Sequence, residues 1–262
     1  MRIFRIVGLL AVVLTLAGCG EFSLKPHLDG NDGPDQAPTQ PEPEALAMAL
    51  WLSHDLRAPT ELYQRVRSDL ILIRTGFRDS LPAVDLRFLK PWEPGRLILG
   101  FDPDSYQAVS DGKYTAWDSL NSLYNMVRVD LSMPAFNMLK LKFDDWLNSE
   151  VLADIYRQLP GVRFAVPNRY MGESPMLLPS ATDDGRILYF FRNAWGDCPS
   201  GCLYSEYWVF TVLSGRVVYD GYFTEQTLMP DDLKDAFTTA WDHYWQGRES
   251  SSLFAAIPSD FH

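Results

Sequence analysis

The amino-acid sequence predicts an α+β fold of strand–strand–helix units, followed by an antiparallel meander and a C-terminal helix. Two observations carry this prediction. Between residues 86 and 159, short runs of alternating apolar residues recur with helical stretches between them. From residue 186 to residue 223 the alternation is nearly continuous, and a helical pattern begins after Pro230.

The first ordered elements are predicted to be two helices. The stretch ALAMALWLSHDL begins directly after Glu44, is helical by composition, and ends before Pro59. Thr60 then caps a second helix, ELYQRVRSDL, in which Leu62, Val66 and Leu70 follow helical spacing.

Two strand–strand–helix units are predicted next. In the first, Leu86 and Phe88 form a hairpin with residues 97–101 around a Pro94-Gly95 turn, and a helix ending near Tyr124 follows. In the second, residues 127–131 and 138–143 alternate around Met133-Pro134, and the helix DDWLNSEVLADIYRQL follows. Phe101-Asp102 and Phe143-Asp144 occupy matching places, each at a strand end before a helix.

The second unit ends in LPGVRFAVPN, residues 159–168. Gly161 suits the positive φ of a helix C-cap, and Pro167 suits the end or edge of a strand. This phrase is similar to the end of subtilisin-type propeptides, where a helix, a turn and an edge strand close a ferredoxin-like domain. The resemblance covers roughly residues 120–170 and implies ferredoxin-like strand–strand–helix units, with an edge strand at Val162–Val166 offered to a protease or another partner. A small α+β sandwich with common turn residues is the alternative interpretation.

The C-terminal part is predicted to be a three-stranded meander of ILYFF, LYSEYWVFTVL and RVVYDGYF. The helix DDLKDAFTTAWDHYW follows, with Asp231 and Asp232 favouring its N-terminal dipole and Gly247 ending it. Because no polar linker interrupts the ordered region, we expect one domain over 45–262.

Charge excludes one class of partner. The chain of 262 residues has 23 Lys and Arg residues against 34 Asp and Glu residues, a formal net charge of −11. Phosphate binding needs a surplus of basic residues, so we expect no nucleic-acid partner.

The N-terminus indicates export. Arg2 and Arg5 precede a short apolar run, Ile6 to Ala17. The whole segment ends in the sequence LAGC, of which Cys19 is the last residue. Such a segment is typical of a signal peptide and is too short for a stable membrane span. The LAGC sequence resembles the lipobox of bacterial lipoproteins. That resemblance implies removal of residues 1–18, lipidation of Cys19 (a diacylglycerol on the thiol and a fatty acid such as palmitate on the amine), and anchoring in a membrane.

Gly20 follows the lipidated position, where Asp commonly marks inner-membrane retention, so the resemblance favours the cell outer membrane. Loss of Arg2 and Arg5 with the signal peptide moves the net charge from −11 to −13. Residues 19–44 consist of the lipidated Cys and a stretch rich in Pro, Gly, Asp and Gln, which predicts a disordered tether.

The two remaining cysteines, Cys198 and Cys202, lie between two strong strands in WGDCPSGC. Because the predicted export places them where thiols oxidise, we expect a disulfide that closes the hairpin tip. The phrase AWGDCPSGC resembles that of a family of exported bacterial proteins with a WGDCPxGC hairpin, to which no established activity belongs. Members often carry a histidine just after the second cysteine, where this chain has Leu203.

The sequence predicts no metal and no cofactor. Two cysteines would need partner ligands, and the four histidines, His27, His54, His243 and His262, are scattered along the chain. His243 lies among Trp241, Tyr244 and Trp245, which favours ordinary packing on a helix face.

No catalytic residues are predicted either. The chain has no nucleophile elbow, and Ser174 and Ser214 are interpreted as turn residues. Four carboxylate pairs occur at predicted helix starts or turns, where Asp caps or turns the backbone: Asp102/Asp104, Asp144/Asp145, Asp183/Asp184 and Asp231/Asp232. Trp92 is the best candidate for an exposed aromatic residue, with local packing as the favoured alternative.

The sequence therefore favours a non-enzymatic, lipid-anchored binding or envelope-structural module. A protease-propeptide-like inhibitor or peptide-binding domain is the second interpretation, with a protein or peptide as its partner. An envelope hydrolase with an unrecognised site is the third.

Overall fold

The computed structural model describes residues 42–85, 91–169, 175–196, 202–224 and 226–250. The predicted lipidation site Cys19, nearly all of the predicted tether, Ser174 and Cys198 lie outside these residues. Among the described residues, no helix combines the length and the apolar character needed to cross a membrane.

The chain begins with two helices, as predicted. Helix α1 spans Pro43–Ser53, and every residue from Ala45 to Trp51 is buried, because the helix is apolar all round and is enclosed on all sides. Helix α2 spans Thr60–Phe77 and is longer than the predicted segment. It is amphipathic, with Val66, Leu70 and Ile73 on its buried side.

The middle of the chain forms a ferredoxin-like unit. Its elements are β1 (Arg96–Phe101), α3 (Pro103–Ser110), α4 (Asp118–Leu123), β2 (Met126–Met133), β3 (Met138–Phe143), α5 (Ser149–Tyr156) and β4 (Val162–Pro167). The sheet is antiparallel with strand order β2-β3-β1-β4. This strand order and the β-α-β-β-α-β connectivity are those of the ferredoxin-like fold, so the predicted α+β class is confirmed.

The predicted hairpin pairs residues 97–101 with Leu86 and Phe88, which lie outside the described residues. Strand β1 is a central strand with β3 on one side and β4 on the other, so both of its hydrogen-bonding edges are taken by later strands. The matching positions of Phe101 and Phe143 are confirmed, since they end β1 and β3, the two central strands.

One face of this sheet packs against α3 and α5. Leu97 and Leu99 of β1 meet Leu152 and Tyr156 of α5 in a shared buried core. Gly161 has the predicted positive φ, +74°, but it lies in the turn before β4 and is not the helix C-cap, which is Arg157. Strand β4 pairs only with β1 among the described strands, which confirms the predicted edge position of Val162–Val166.

The C-terminal part is a four-stranded meander, one strand more than predicted. Its strands are β5 (Met176–Ala181), β6 (Ile187–Trp195), β7 (Tyr204–Leu213) and β8 (Arg216–Thr224), paired in chain order. Sequence reasoning missed β5 because Pro179 interrupts its pattern. Proline is tolerated here because β5 is the edge strand of the sheet. Ser214 has a φ of 50° in the β7–β8 turn, which confirms its interpretation as a turn residue.

Helices cover both faces of the meander. Leu177, Tyr189 and Phe210 face α1 and α2, whereas Leu178 and Phe190 face the other side, which helix α6 (Asp231–Ser250) covers. The predicted end of this helix at Gly247 is wrong, since the helical backbone continues to Ser250. Trp92 is 1% exposed and packs in the same core as α6, so the alternative of local packing holds.

A buried carboxylate joins α2 to the meander and makes stability depend on pH. Asp69 is buried and accepts a hydrogen bond from the Tyr189 hydroxyl at 2.9 Å. Burial raises the pKa of Asp69 above its ordinary value of 3.8, although the Tyr189 bond and the charge of Arg65 oppose the shift. Between pH 3.8 and the raised pKa, the folded state therefore holds a proton that the unfolded state has lost, so the free energy of unfolding falls as pH rises across this interval.

We expect Asp69→Asn to remove this loss of stability, because an amide oxygen still accepts from Tyr189 but carries no charge. The measurement is the urea midpoint from about pH 4 to about pH 7 for both proteins. The wild type should lose stability relative to Asp69→Asn as pH rises, and Tyr189→Phe serves as a control that breaks the bond but keeps the carboxylate. Parallel pH profiles for the wild type and Asp69→Asn would contradict the expectation.

Candidate functional site

Three side chains with metal-ligating or proton-transferring atoms converge where α1, α5 and α6 meet. They are His54, Glu150 and His243, and one ligand atom from each lies within 4.8 Å of the others. We call this set the junction cluster. Among the described residues it is the one group of three or more His, Cys, Asp or Glu side chains in ligating reach.

His54 occupies the C-cap of α1 in the left-handed conformation, with a φ of 54°. Its backbone N–H donates to the Leu50 carbonyl at 3.2 Å, which ends the helix. Glycine or asparagine is usual at such a position, because a β-carbon is strained there. The imidazole ring is exposed at the rim of the cluster, and its centroid lies 4.8 Å from that of His243.

Glu150 is in the first turn of α5, which the buried Asn148 caps. The Asn148 side-chain oxygen accepts from the backbone N–H groups of Glu150 at 3.0 Å and Val151 at 3.4 Å. Its amide nitrogen donates to the Leu50 carbonyl at 3.1 Å, and its backbone N–H donates to the Leu56 carbonyl at 3.0 Å. These bonds tie the start of α5 to the end of α1 and so place Glu150 beside His54.

Two side chains hold the Glu150 carboxylate. The guanidinium of Arg169, just after β4, donates to Oε1 at 2.8 Å, and Nε2 of His243 lies 3.2 Å from Oε2. Burial alone would raise the pKa of Glu150, but the His243 hydrogen bond and the Arg169 charge outweigh it and hold the pKa below 4.5. Arg169 is itself only 7% exposed, donates to the Pro91 carbonyl at 3.2 Å and lies over the Tyr244 ring.

His243 faces α1 and α5 and does not pack with the aromatic residues beside it in sequence. Its ring stacks on that of Trp51 with a centroid distance of 4.2 Å and an interplanar angle of 27°. Trp241 and Tyr244 stack on each other instead. His243 thus packs on a helix face, as expected, but its partner is Trp51 of α1, because helical geometry turns the side chain towards Trp51 and Glu150.

Two open pockets meet at His243. The first has a volume of about 620 Å³ and is lined by Trp51, Leu52, His54, Pro179, Ser180, Ala181, Thr239, Ala240, Asp242 and His243. The second has a volume of about 450 Å³ and runs along β4; its lining residues are Glu150, Ala153, Asp154, Arg157, Phe164, Ala165, Val166, Pro167, Arg169 and His243. Both pockets therefore border the junction cluster.

The cluster offers two imidazole nitrogens and one anionic oxygen. Desolvation, together with the neighbouring His243, lowers the pKa of His54 below 6.5, although Glu150 and Asp55 oppose the shift. A neutral imidazole keeps a lone pair for a ligand. A general acid needs a raised pKa, whereas the pKa of Glu150 is lowered, so this carboxylate is suited to holding a positive or hydrogen-bond-donating group.

The sequence argument that the histidines are too scattered to share a ligand set does not hold for His54 and His243. Folding brings the C-terminal end of α1 against the middle of α6. Neither the local spacing of residues nor a sequence motif indicates this contact. A histidine at the end of an apolar helix, where glycine is usual, was the one local signal.

The carboxylate pairs have structural environments. Asp102 caps α3 by accepting from the Ser105 N–H at 2.7 Å, and Asp145 pairs with Arg57 at 2.8 Å. In the β5–β6 turn, hydrogen bonds from Thr182 and Arg186 lower the pKa of Asp184 to about 2. Asp231 and Asp232 lie in the first turn of α6, as predicted. The prediction is wrong for Asp144 and Asp145, which lie in a bend before α5, because that helix begins at Ser149 and its cap is Asn148.

Asn148→Ala should destabilise the fold by about 2 kcal/mol, because it removes a helix cap and a buried hydrogen bond between two helices. Asn148→Ser is the matched variant, since a serine oxygen still caps α5 but does not donate to Leu50; we expect about half the loss. Urea denaturation measures both. A loss below about 0.5 kcal/mol for Asn148→Ala would show that this residue does not hold the junction together.

Comparison of the chain with protein-family models, with curated proteins and with solved structures finds no match. The resemblances that depend on LAGC, on LPGVRFAVPN and on WGDCPSGC stay predictions. The disulfide between Cys198 and Cys202 also stays a prediction, because Cys198 lies outside the described residues.

Proposed function

We propose that this chain is a lipid-anchored protein of the cell outer membrane whose folded body is a non-enzymatic binding module. The observation that carries the binding role is the junction cluster, where His54, Glu150 and His243 line two pockets that open to solvent. The anchoring role depends on the LAGC sequence and on the polar stretch between Cys19 and α1.

Electrostatics supports binding over acid catalysis at this cluster. Arg169 and His243 stabilise the ionised form of Glu150, which is the wrong state for donating a proton to a leaving group. The same interactions suit a carboxylate whose task is to hold a cation or a hydrogen-bond donor. In the described residues the cluster contains a single carboxylate, whereas glycoside hydrolysis needs a pair of them.

A second candidate is a peptide-binding or protease-inhibiting domain, which the position of β4 favours. This strand is an edge strand, and the second pocket runs beside it. The Ala165 carbonyl accepts from the Arg157 guanidinium at 2.9 Å. Backbone groups of an edge strand can pair with an extended peptide, which is the basis of β-strand addition.

Anchoring is tested by Cys19→Ala, which removes the thiol that would carry the diacylglycerol. We expect the wild type in the outer-membrane fraction after density separation of envelopes, and the variant outside the membrane fractions, because the acyl chains supply the binding energy. Cys198→Ser is the matched cysteine control and should stay with the membrane. Unchanged fractionation of Cys19→Ala would refute lipidation.

Edge-strand binding is tested with the full-length protein in detergent and a panel of proteases that includes a subtilisin-type enzyme. We expect saturable inhibition, and tighter inhibition by Arg157→Ala, since that variant frees the Ala165 carbonyl to accept from a partner backbone N–H. No inhibition of any protease by either protein would remove the inhibitor hypothesis.

A further inference from the structure

We propose that His54, Glu150 and His243 bind one divalent transition-metal ion of the zinc type. The inference deepens the proposed binding role, on which it rests, by naming the ligand class of the junction cluster. Two imidazoles and one carboxylate form a donor set found in zinc sites with an open coordination position. Imidazole nitrogen selects zinc and its transition-metal neighbours over Mg²⁺ and Ca²⁺, which prefer oxygen ligands throughout.

Two of the donors already have the spacing of ligands on one ion. Donors about 2.0–2.1 Å from a tetrahedral ion lie about 3.3 Å from each other. Nε2 of His243 and Oε2 of Glu150 are 3.2 Å apart. The third donor, on His54, lies within 4.8 Å of both and belongs to the exposed member of the set, so a modest inward turn of its ring completes the site.

The surroundings orient these donors as outer-shell partners do in metal sites. The Arg169 guanidinium holds Oε1 of Glu150, which leaves Oε2 directed at His243. Trp51, which is 3% exposed, stacks on the His243 ring and restricts its rotation. Both the carboxylate and one imidazole are therefore held in place before an ion arrives, which lowers the entropic cost of binding it.

The backbone of His54 fixes where its side chain begins. Its left-handed conformation at the C-cap of α1 costs free energy that glycine at the same position would not. The Asn148 bonds fix the end of α1 against the start of α5. The side chain at the C-cap of α1, His54, therefore lies within reach of Glu150.

Charge around the cluster favours a cation despite the nearby guanidinium. The Arg169 guanidinium donates to Oε1 of Glu150, whereas Oε2 is the oxygen next to His243. Asp242 lines the first pocket and Asp55 follows His54 directly, whereas Asp154 in the second pocket is paired with Arg157 at 2.7 Å. Three protein donors leave a fourth coordination position for solvent or for a group of a bound partner, open to the pockets on either side.

The test is isothermal titration of the full-length protein in detergent with ZnCl₂, and with MgCl₂ as a control. We expect one zinc ion per chain and no comparable binding of Mg²⁺. Co²⁺ should give the visible absorption of a four-coordinate nitrogen and oxygen site. His54→Gly should weaken zinc binding by at least about 100-fold, beyond the roughly 10–100-fold loss typical of an outer-shell partner.

His54→Gly separates a ligand from a structural residue. Because glycine relieves the positive φ, we expect its thermal midpoint without zinc to equal or exceed that of the wild type, and zinc to raise the midpoint of the wild type alone. Glu150→Gln should lose zinc binding as well, whereas His27→Ala, a histidine control outside the cluster, should keep it. Absence of zinc binding by the wild type, or equal binding by His54→Gly, would leave only a hydrogen-bonded His–Glu pair and overturn the inference.

Failure of this inference is distinguishable from failure of the anchoring proposal. A protein that fractionates with the outer membrane but binds no zinc overturns the metal site alone. A protein that binds zinc through His54 but does not depend on Cys19 for membrane attachment supports the metal site and overturns only the anchor.

Discussion

The half-buried carboxylate of Glu150 is the constraint on which the arrangement of the folded body depends. Its side chain is 21% exposed, and a carboxylate at that depth is stable only when charged or hydrogen-bonding partners replace the lost water. The partners come from two distant parts of the chain, Arg169 after β4 and His243 on α6. The ferredoxin-like unit and the helix that covers the meander are therefore held together by the same group that carries the candidate site.

The residues of this site belong to the ends of regular elements more than to their middles. His54 ends α1, Glu150 lies in the first turn of α5, and Arg169 follows β4. His243 lies in the middle of a helix. Element ends leave backbone groups unpaired and side chains free of core packing, so they are where polar side chains meet without disturbing the core. The buried Asn148 bonds to unpaired backbone groups at two helix ends, since it caps α5 and donates to a carbonyl at the end of α1.

Most regular elements were predictable because their local sequence patterns agree with the secondary structure in the fold. Helices α1, α2, α5 and α6 and the strands β2, β3 and β6–β8 follow the spacing of their apolar residues. Prediction failed where a local signal and the tertiary context disagreed. Pro179 interrupts the apolar pattern of an edge strand, and Gly247 does not end α6. The Pro94-Gly95 turn suggested a hairpin, although β1 pairs with later strands. The site was not predictable, since its histidines are isolated in the sequence.

The sequence by itself determined the α+β class, the type of most elements and the edge position of β4, because periodicity, caps and proline placement are local properties. It also supplies the expectation of a lipid anchor at Cys19, which depends on a short linear motif. Only the tertiary structure decided that β1 is central, that Asn148 joins α1 to α5, and that His54, Glu150 and His243 meet. The physical reason is that these contacts are made between segments far apart in the chain, where packing and the pairing of buried polar groups, rather than spacing in sequence, select the neighbours.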